Sequence, residues 1–484
     1  MRRGSVIGPL ILIGLGVLFL MWTVWHMPIS TIIGTWWPFV LIAWGGLRLL
    51  EIIVWAFQSR PLPRSGVSGG EWVLVFFICL IGASVWTVQN HHWMYGGPWR
   101  GIVINMGENY DFPMNGVEKP VTGKAPRIVI ESFRGDARIT GAEDSSTVRV
   151  SGNKSIRALA QHDADTANQQ TPLEIVQQGD GYVIRTNQDR VDSRTRISDD
   201  LEISVPKGAS IVARGRTGDF DISDINGSVD INSDNAGVRV QNVAGDVRVQ
   251  LDKSDVVRCT GVKGKVDLRA SHGDEIELTN ISGPVTIAGT WTGDLQFRNL
   301  EQPLRFEGDN VQFNVEKIPG QVRMSGGDFT ASGLTGPVRL DARSRDIQIS
   351  DFTQALDLTV DRGDVQLRPA AKTGAVPRMD VRVHSGDVDL ALLPAAKFDL
   401  KASTDHGEVH NEYGGPLTAQ ESEPGGRISG GAPGAPEIRV TTDRGTLTVR
   451  KATGEEAEVT FPDIPSRPEK PPKAPQPPPQ VREE

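Results

Sequence analysis

The stretch Gly218-Asp219-Phe220-Asp221-Ile222 is the first copy of a five-residue pattern that recurs throughout the middle of the chain. A glycine and a polar residue are followed by apolar and polar residues in alternation. Alternation with a period of two predicts a strand with one buried face, and the preceding Gly-Asp pair predicts a turn. Further copies begin at Gly227, Gly245, Gly264, Gly283, Gly293, Gly336 and Gly363. Each copy is therefore predicted to be a short strand preceded by a corner.

The spacing of the copies predicts how the strands assemble. Successive copies begin roughly nine residues apart, and a fixed short period is the signature of a solenoid. Two strands per coil give a β-solenoid of the β-helix or β-roll type, predicted to be regular over residues 216–370. A β-sandwich of hairpins is the alternative, which the scarcity of Asn-Gly turns disfavours. The inward residues are then Phe220, Ile222, Val229 and Ile231, and the outward residues are Asp219, Asp221, Ser228 and Asp230.

The first 88 residues have a different composition. Ten of the eleven Trp lie within the first hundred residues. Apolar runs cover residues 6–25, 29–57 and 72–88, and such lengths can cross the hydrocarbon core of a bilayer. We predict three transmembrane α-helices over residues 1–88. A cleaved signal peptide is the alternative for the first run, but no small-residue cleavage site follows it.

The arginines of this region predict its orientation. Arg2 and Arg3 precede the first run, and Arg60 and Arg64 lie between the second and third. The positive-inside rule places these segments in the cytoplasm. We therefore expect a protein of the cytoplasmic (inner) membrane, with its N-terminus inside and its large C-terminal domain extracytoplasmic.

The remaining segments are predicted from composition and pattern. Residues 89–126 are interpreted as an interfacial linker. Residues 127–215 contain longer strands and are predicted to form an N-terminal β region that caps the solenoid. Residues 371–452 are expected to form irregular C-terminal β coils, including a long surface loop at residues 413–436. Residues 453–484 are rich in Pro, and we predict a disordered tail.

Several residues of the chain could supply reactive groups or could have purely structural roles. Stacked aspartates could form an acidic row like that of polysaccharide-cleaving β-helix enzymes, but Asp after Gly is also a turn residue. The residues concerned are Asp219, Asp221, Asp230, Asp246 and Asp267. Cys259 with His272 is a weak nucleophile pair, and His91 with His92 is a weak metal site because adjacent strand residues face opposite ways. We predict no catalytic, cofactor-binding or metal-binding residues, no cofactor and no enzyme activity.

Charge limits the partners that are expected. The chain has a formal net charge of −9, although residues 1–100 contain six Arg and only two acidic residues. The remainder is therefore acidic, which argues against nucleic-acid binding through bulk electrostatics. The expected partners are the lipid bilayer, through the three helices, and an envelope protein or polysaccharide. Lateral self-association of the rod is a further hypothesis.

Two segments resemble known families. Residues 127–450, with Ile203-Ser204-Val205-Pro206-Lys207-Gly208 and Arg444-Gly445-Thr446-Leu447, resemble the bacterial family of adhesin-like domains of unknown function. This resemblance implies a β-solenoid with a surface or envelope role and no catalytic residues. The membrane segment, with Gly8-Pro9-Leu10-Ile11 and Trp37-Pro38-Phe39, looks like the transmembrane region of LiaF-type cell-wall stress proteins.

These observations predict a membrane-anchored, non-enzymatic, adhesin-like protein that presents a β-solenoid to envelope partners. One alternative is a regulatory or sensor component of an envelope stress response. The second is a polysaccharide-active β-helix enzyme.

Overall fold

The computed structural model describes residues 107–452, apart from residues 122, 124, 144–145, 180, 192–194 and 371–375. This part of the chain is mainly β, with thirty strands joined in one hydrogen-bonded sheet. It also contains helix α1 (Gln161–Gln170) and a 3-10 turn (Gln188–Arg190). None of its helices is long and apolar enough to cross a membrane. The three apolar runs and the Pro-rich tail lie outside the described residues.

The regular part of the solenoid has two columns of parallel strands. Its strands are β8 (Ser210–Thr217), β9 (Phe220–Ser223), β10 (Val229–Asn235), β11 (Val238–Gln241), β12 (Val247–Val262), β13 (Val266–Ile281), β14 (Val285–Trp291), β15 (Leu295–Leu300) and β16 (Leu304–Glu307). Column A consists of β8, β10, the first halves of β12 and β13, β14 and β16. Column B consists of β9, β11, the second halves of β12 and β13, and β15.

The register gives two strands per coil, as the sequence predicts. Val229 pairs with Ile211 on one side and with Val247 on the other, a step of 18 residues each way. The predicted inward residues Phe220 and Ile231 are at most 1% exposed. The solenoid and the direction of its side chains are confirmed, and the parallel pairing rules out the hairpin sandwich. Inward side chains from both columns form one continuous apolar core.

The Gly-Asp corners link successive coils. Gly386 has φ 154°, and a Cβ there would lie only 2.0 Å from the carbonyl oxygen of Gly363. Glycine is therefore required because two coil backbones touch at this corner. Asp364 Oδ1 accepts a hydrogen bond from the backbone N–H of Asp387, 2.9 Å away. Asp364, which the sequence predicts to be a turn residue, thus also links two neighbouring coils through a hydrogen bond.

One strand of the solenoid has the opposite direction to its neighbours. Strand β17 (Val311–Ser325) is antiparallel to β15 and β16 on one side. On its other side it is antiparallel to β18 (Asp328–Ser332) and β19 (Thr335–Ser344). Hairpin turns at residues 308–310 and at Gly326-Gly327 reverse the chain twice. The structure departs at this coil from the regular β-solenoid predicted over residues 216–370.

Bulky aromatic side chains fill the core around the reversed coil. Phe306 on β16 is the register partner of Phe313 on β17. Phe313 packs edge-on against Phe329, with ring centroids 5.1 Å apart. Such T-shaped contacts add to the stability gained by burial alone. Beyond β19, parallel stacking resumes with β20 (Asp346–Phe352), β21 (Leu356–Arg362) and β22 (Val365–Pro369). Column A thus continues through the first half of β17, β19 and β21, and column B through the second half of β17, β18, β20 and β22.

The N-terminal cap begins with a coil that lies inside the stack. Its strands are β1 (Glu108–Pro120), β2 (Arg127–Arg134), β3 (Ala137–Ala142), β4 (Thr147–Ala158), β5 (Glu174–Gln178), β6 (Gly181–Arg185) and β7 (Arg196–Pro206). Strand β2 pairs with β6 and β8, and β3 pairs with β7 and β9. Beyond them, β1, β4 and β7 form an antiparallel layer. Residues 108–120, interpreted as linker from the sequence, are therefore strand β1, whose Pro113 and Pro120 suit an edge position.

The C-terminal end repeats this arrangement. Its strands are β23 (Met379–Ser385), β24 (Val388–Leu392), β25 (Asp399–His406), β26 (Val409–Asn411), β27 (Leu417–Ser422), β28 (Gly425–Gly431), β29 (Glu437–Arg444) and β30 (Leu447–Lys451). The last coil is inserted into the stack, since β29 pairs with β23 and β25, and β30 with β24 and β26. Residues 413–436, expected to be a loop, contain the antiparallel pair β27–β28.

Candidate functional site

The aspartates considered as an acidic row lie in three separate places. Asp219 and Asp246 occupy corners, where each Oδ1 accepts a backbone N–H from the next coil, at 3.0 and 2.8 Å. Asp221 lies on the outer face of column B, 3.6 Å from Arg138 Nε. These three carboxylates are engaged with the backbone or with an arginine.

The other two aspartates lie on the outer face of column A. In the register of this column, Arg248 stands between Asp230 and Asp267. The Asp267 side chain is only 7% exposed, and it contacts Arg269 and Lys265. The structure therefore does not bring the five candidate aspartates together.

Cys259 and His272 do not form a pair, because Cys259 faces the core and His272 is exposed. Cys259 is fully buried on the inner side of β12, and burial raises the pKa of its thiol to about 12. His272 is an exposed residue at the middle of β13. A thiol with this pKa is not a nucleophile near neutral pH.

A buried polar cluster lies in the N-terminal cap. Lys154 and Asp199 are register partners on β4 and β7, and they are 2% and 0% exposed. Lys154 Nζ donates a hydrogen bond to Thr171 Oγ1 at 2.9 Å, and Gln188 Nε2 donates one to Asp199 Oδ2 at 2.7 Å. Burial lowers the pKa of Lys154 and raises that of Asp199 to about 6. This cluster is closed to solvent, and it connects β4 and β7 with the residue that ends helix α1 and with the 3-10 turn.

The sequence contains one signal for this cluster. Asp199 falls at an inward position of β7, between Ile197 and Leu201 in the alternating pattern. A charged residue at an inward position must find a buried partner.

Three arginines line a shallow groove on column A. The lining residues are Arg127, Val212, Ala213, Arg214, Asp230, Asn232, Arg248 and Gln250. The groove is polar and open. Within the described residues, no group of three or more His, Cys, Asp or Glu side chains could hold a metal ion.

The outer face of column B has an unusual composition between β11 and β22. We call its outward positions the arginine face; they are Arg239, Gln241, Arg258, Thr260, Glu277, Thr279, Gln296, Arg298, Gln321, Arg323, Thr330, Ser332, Gln348, Ser350, Gln366 and Arg368. The surface holds five arginines and one carboxylate, and the rest are amides and hydroxyls. It lacks Lys, Asp and aromatic residues. On an acidic chain, this is a local positive surface.

The arginines of this face lie against the sheet. All five are partly buried, with the Arg323 and Arg368 side chains only 21% and 17% exposed, whereas Arg248, Arg269, Arg305 and Arg339 on the outer face of column A are exposed. The Nε atoms of Arg298 and Arg323 are buried without a hydrogen-bond acceptor within the described part of the chain. Their stems are thus packed on neighbouring side chains. Arginines held in this way lose less freedom when they bind.

The arginines of the two faces also differ in their partners. On column A, Arg269, Arg305 and Arg339 each pair with a carboxylate two residues away on the same strand. On the arginine face, Arg239 and Arg298 have no carboxylate within 4 Å among residues 107–452 that the structure describes. The other three arginines have one each, in Arg258–Glu277 (3.2 Å), Arg323–Asp294 (3.7 Å) and Arg368–Asp351 (3.8 Å).

Comparison with known families agrees with this architecture. The family model described as Toastrack DUF4097 matches residues 126–450, which is most of the described chain. The chain belongs to the Toastrack DUF4097 family. The match does not include residues 1–125, so the LiaF-like resemblance of this Toastrack protein stays a prediction about residues outside the described part.

Other comparisons add little. No curated protein matches this Toastrack protein. A crystal structure of a candidate cell adhesion protein from Clostridium sporogenes matches over 70% of this chain and 100% of that chain, with 8% identity and a TM-score of 0.15. A TM-score this low supports no argument about function.

Proposed function

We propose that this Toastrack protein is a membrane-anchored, non-enzymatic, adhesin-like protein of the cell surface or envelope, whose solenoid binds an envelope partner through the arginine face. The composition of the arginine face supports this proposal. Eight neighbouring strands present a row of arginine, amide and hydroxyl groups, of which Gln296 and Ser350 are buried. A long flat surface suits an extended partner better than an enclosed small molecule.

The ends of the stack are less suited to binding. The edge strand β1 contains Pro113 and Pro120, which cannot donate to an added strand. At the other end, edge strand β27 is exposed and carries Glu421. Prolines and charges on edge strands oppose the addition of another strand, so the side of the rod is the better candidate for recognition.

The membrane anchor and the orientation rest on the sequence. The apolar runs over residues 1–88 would supply three helices, and the arginine distribution would place the solenoid outside the cytoplasm. Protease added to intact cells, or to spheroplasts if an outer membrane is present, is expected to digest residues after about 89 and to spare residues 60–64. Protection of the solenoid until lysis would show an inverted topology.

Binding is tested with the full-length protein in detergent. We expect it to co-sediment with the insoluble polymer fraction of its own cell envelope, and the polymer to keep its length. The double variant Arg298→Gln with Arg323→Gln should stay in the supernatant. The matched control, Arg248→Gln with Arg339→Gln on column A, should sediment like the wild type. Absence of sedimentation for the wild type, or shortening of the polymer, would overturn the proposed function.

A further inference from the structure

We infer that the arginine face binds a linear polysaccharide that carries carboxylate groups. This inference deepens the proposed function and rests on it. Arg239 and Arg298 have no carboxylate within 4 Å in the described chain. Their positive charges are therefore not balanced by a neighbouring carboxylate and can interact with an anionic ligand.

The chemistry of the arginines favours carboxylates as the anionic group. A guanidinium presents a planar fork of N–H donors that matches a carboxylate in two hydrogen bonds. Arg298 is paired in register with Gln321, and Arg323 with Gln296, so the two arginines are diagonal neighbours across one antiparallel strand pair. Diagonal neighbours on a sheet lie about 7–8 Å apart at the backbone. Arg323 shares its charge with Asp294, 3.7 Å away, whereas Arg298 has no carboxylate partner, so the two arginines together can hold one anionic group of a polymer at this centre.

The residues around the arginines favour a glycan. Thr260, Thr279, Ser332 and the glutamines of the face can donate and accept hydrogen bonds, as sugar hydroxyls do. These groups recur along the stack at the strand spacing of about 4.8 Å. Gln296 and Ser350 are buried, so a polymer that lies along the rod meets one or two accessible polar side chains at each strand.

The same face is poorly suited to nucleic acid. Binding of a single strand depends on aromatic side chains that stack on the bases, and the arginine face has none. Five arginines, three of them with carboxylate partners, are also few on an acidic chain. Single-stranded DNA is therefore a competing outcome of the test rather than the ligand we propose.

The experiment uses the full-length protein in detergent and immobilised polygalacturonate, a polymer of carboxylate-bearing sugars. Dextran is the neutral comparison and single-stranded DNA is the other class of polyanion. We expect polygalacturonate to bind best, and its affinity to fall as salt rises from about 50 to 200 mM, because counterions are released on binding. The Arg298→Gln with Arg323→Gln variant should lose about tenfold or more in affinity, since two charge-assisted contacts are removed.

The control variant Arg248→Gln with Arg339→Gln should bind within about twofold of the wild type, because surface charges outside the contact act only weakly. Equal binding of dextran and polygalacturonate, or tighter binding of DNA, would overturn the inference. So would equal losses in the two variants. Those results would leave the proposed function standing if the protein still co-sediments with its own envelope polymer.

Discussion

Asn242 Nδ2 donates a hydrogen bond to Asp224 Oδ1, 3.1 Å away, from the neighbouring coil. Both residues have positive φ, at 54° and 60°, and they belong to a ladder of corner residues. Asn299 donates in the same way to Asn280 Oδ1 at 2.7 Å. Gly261, with φ 68°, occupies the rung between these two pairs. The ladder is thus interrupted at one coil.

Replacing the missing rung tests this ladder. Gly261→Asn is expected to stabilise the protein by about 0.5 kcal/mol, because Asn tolerates this backbone conformation and reduces the freedom of the unfolded chain. A Cβ at this position would lie 3.1 Å from Asn242 Oδ1, an amide end that can shift slightly. Urea denaturation gives the free energy of unfolding. Gly261→Val, the control, should destabilise by about 1–2 kcal/mol because a β-branched residue is strained at positive φ. Equal effects of the two substitutions would disprove the ladder argument.

The inward and outward assignment gives a second prediction. Val247 is 1% exposed inside the coil, so Val247→Asp would bury an unpaired charge and should destabilise by several kcal/mol, on the order of 3 or more. Asp246→Asn should be nearly neutral, because an amide oxygen can still accept the hydrogen bond of Lys265 N. Asp246→Ala removes the acceptor and should lose about 1 kcal/mol. Thermal and urea unfolding compare the three, and similar losses for Val247→Asp and Asp246→Asn would contradict the assignment.

The buried carboxyl of Asp199 predicts a pH dependence. Burial raises its pKa in the folded protein to about 6, so the folded state keeps a proton that the unfolded state has already lost. The contribution of Asp199 to stability is therefore greatest below the ordinary pKa of an aspartate, and it is lost as pH rises through about 6. The total change is about 2–3 kcal/mol, from a shift of roughly two units.

Asp199→Asn isolates this contribution. The difference in unfolding free energy between wild type and variant should fall between about pH 4 and pH 6 and stay flat above, while all other groups cancel. Urea denaturation at a series of pH values measures it. A constant difference across this range would show that Asp199 titrates normally.

The inserted last coil gives a fourth prediction. Removal of residues 436–484 deletes β29 and β30, which separate β23 and β24 from β25 and β26. We expect the amides of β25–β28 to lose their protection from hydrogen exchange, because β25 and β26 lose their parallel partners and β28, which carries β27, is paired to the stack only through β25. Removal of residues 453–484 alone is the control and should leave that protection unchanged. Retained protection in the shorter chain would mean that β25–β28 fold without β29 and β30.

Much of the architecture could be predicted because a coil repeats a local rule. The alternation in Phe220-Asp221-Ile222 determines which side chains face the core, and Gly218 before it marks the corner. Both depend only on neighbouring residues, so they can be read from the sequence. The hairpin signal Gly326-Gly327 was also present, but a single Gly-Gly pair is hard to separate from the other glycine corners of the repeat.

The direction and order of the coils were decided by the tertiary structure. A strand buries the same alternate side chains whichever way it runs, so the alternating pattern could not reveal that β17 is reversed. Coils of equal length also fit beside one another in any order, which is why the pattern did not predict the insertion of β2 and β29 within the stack. The arginine face depends on this order too. Arg298 and Arg323 become neighbours only because β17 turns back along β15.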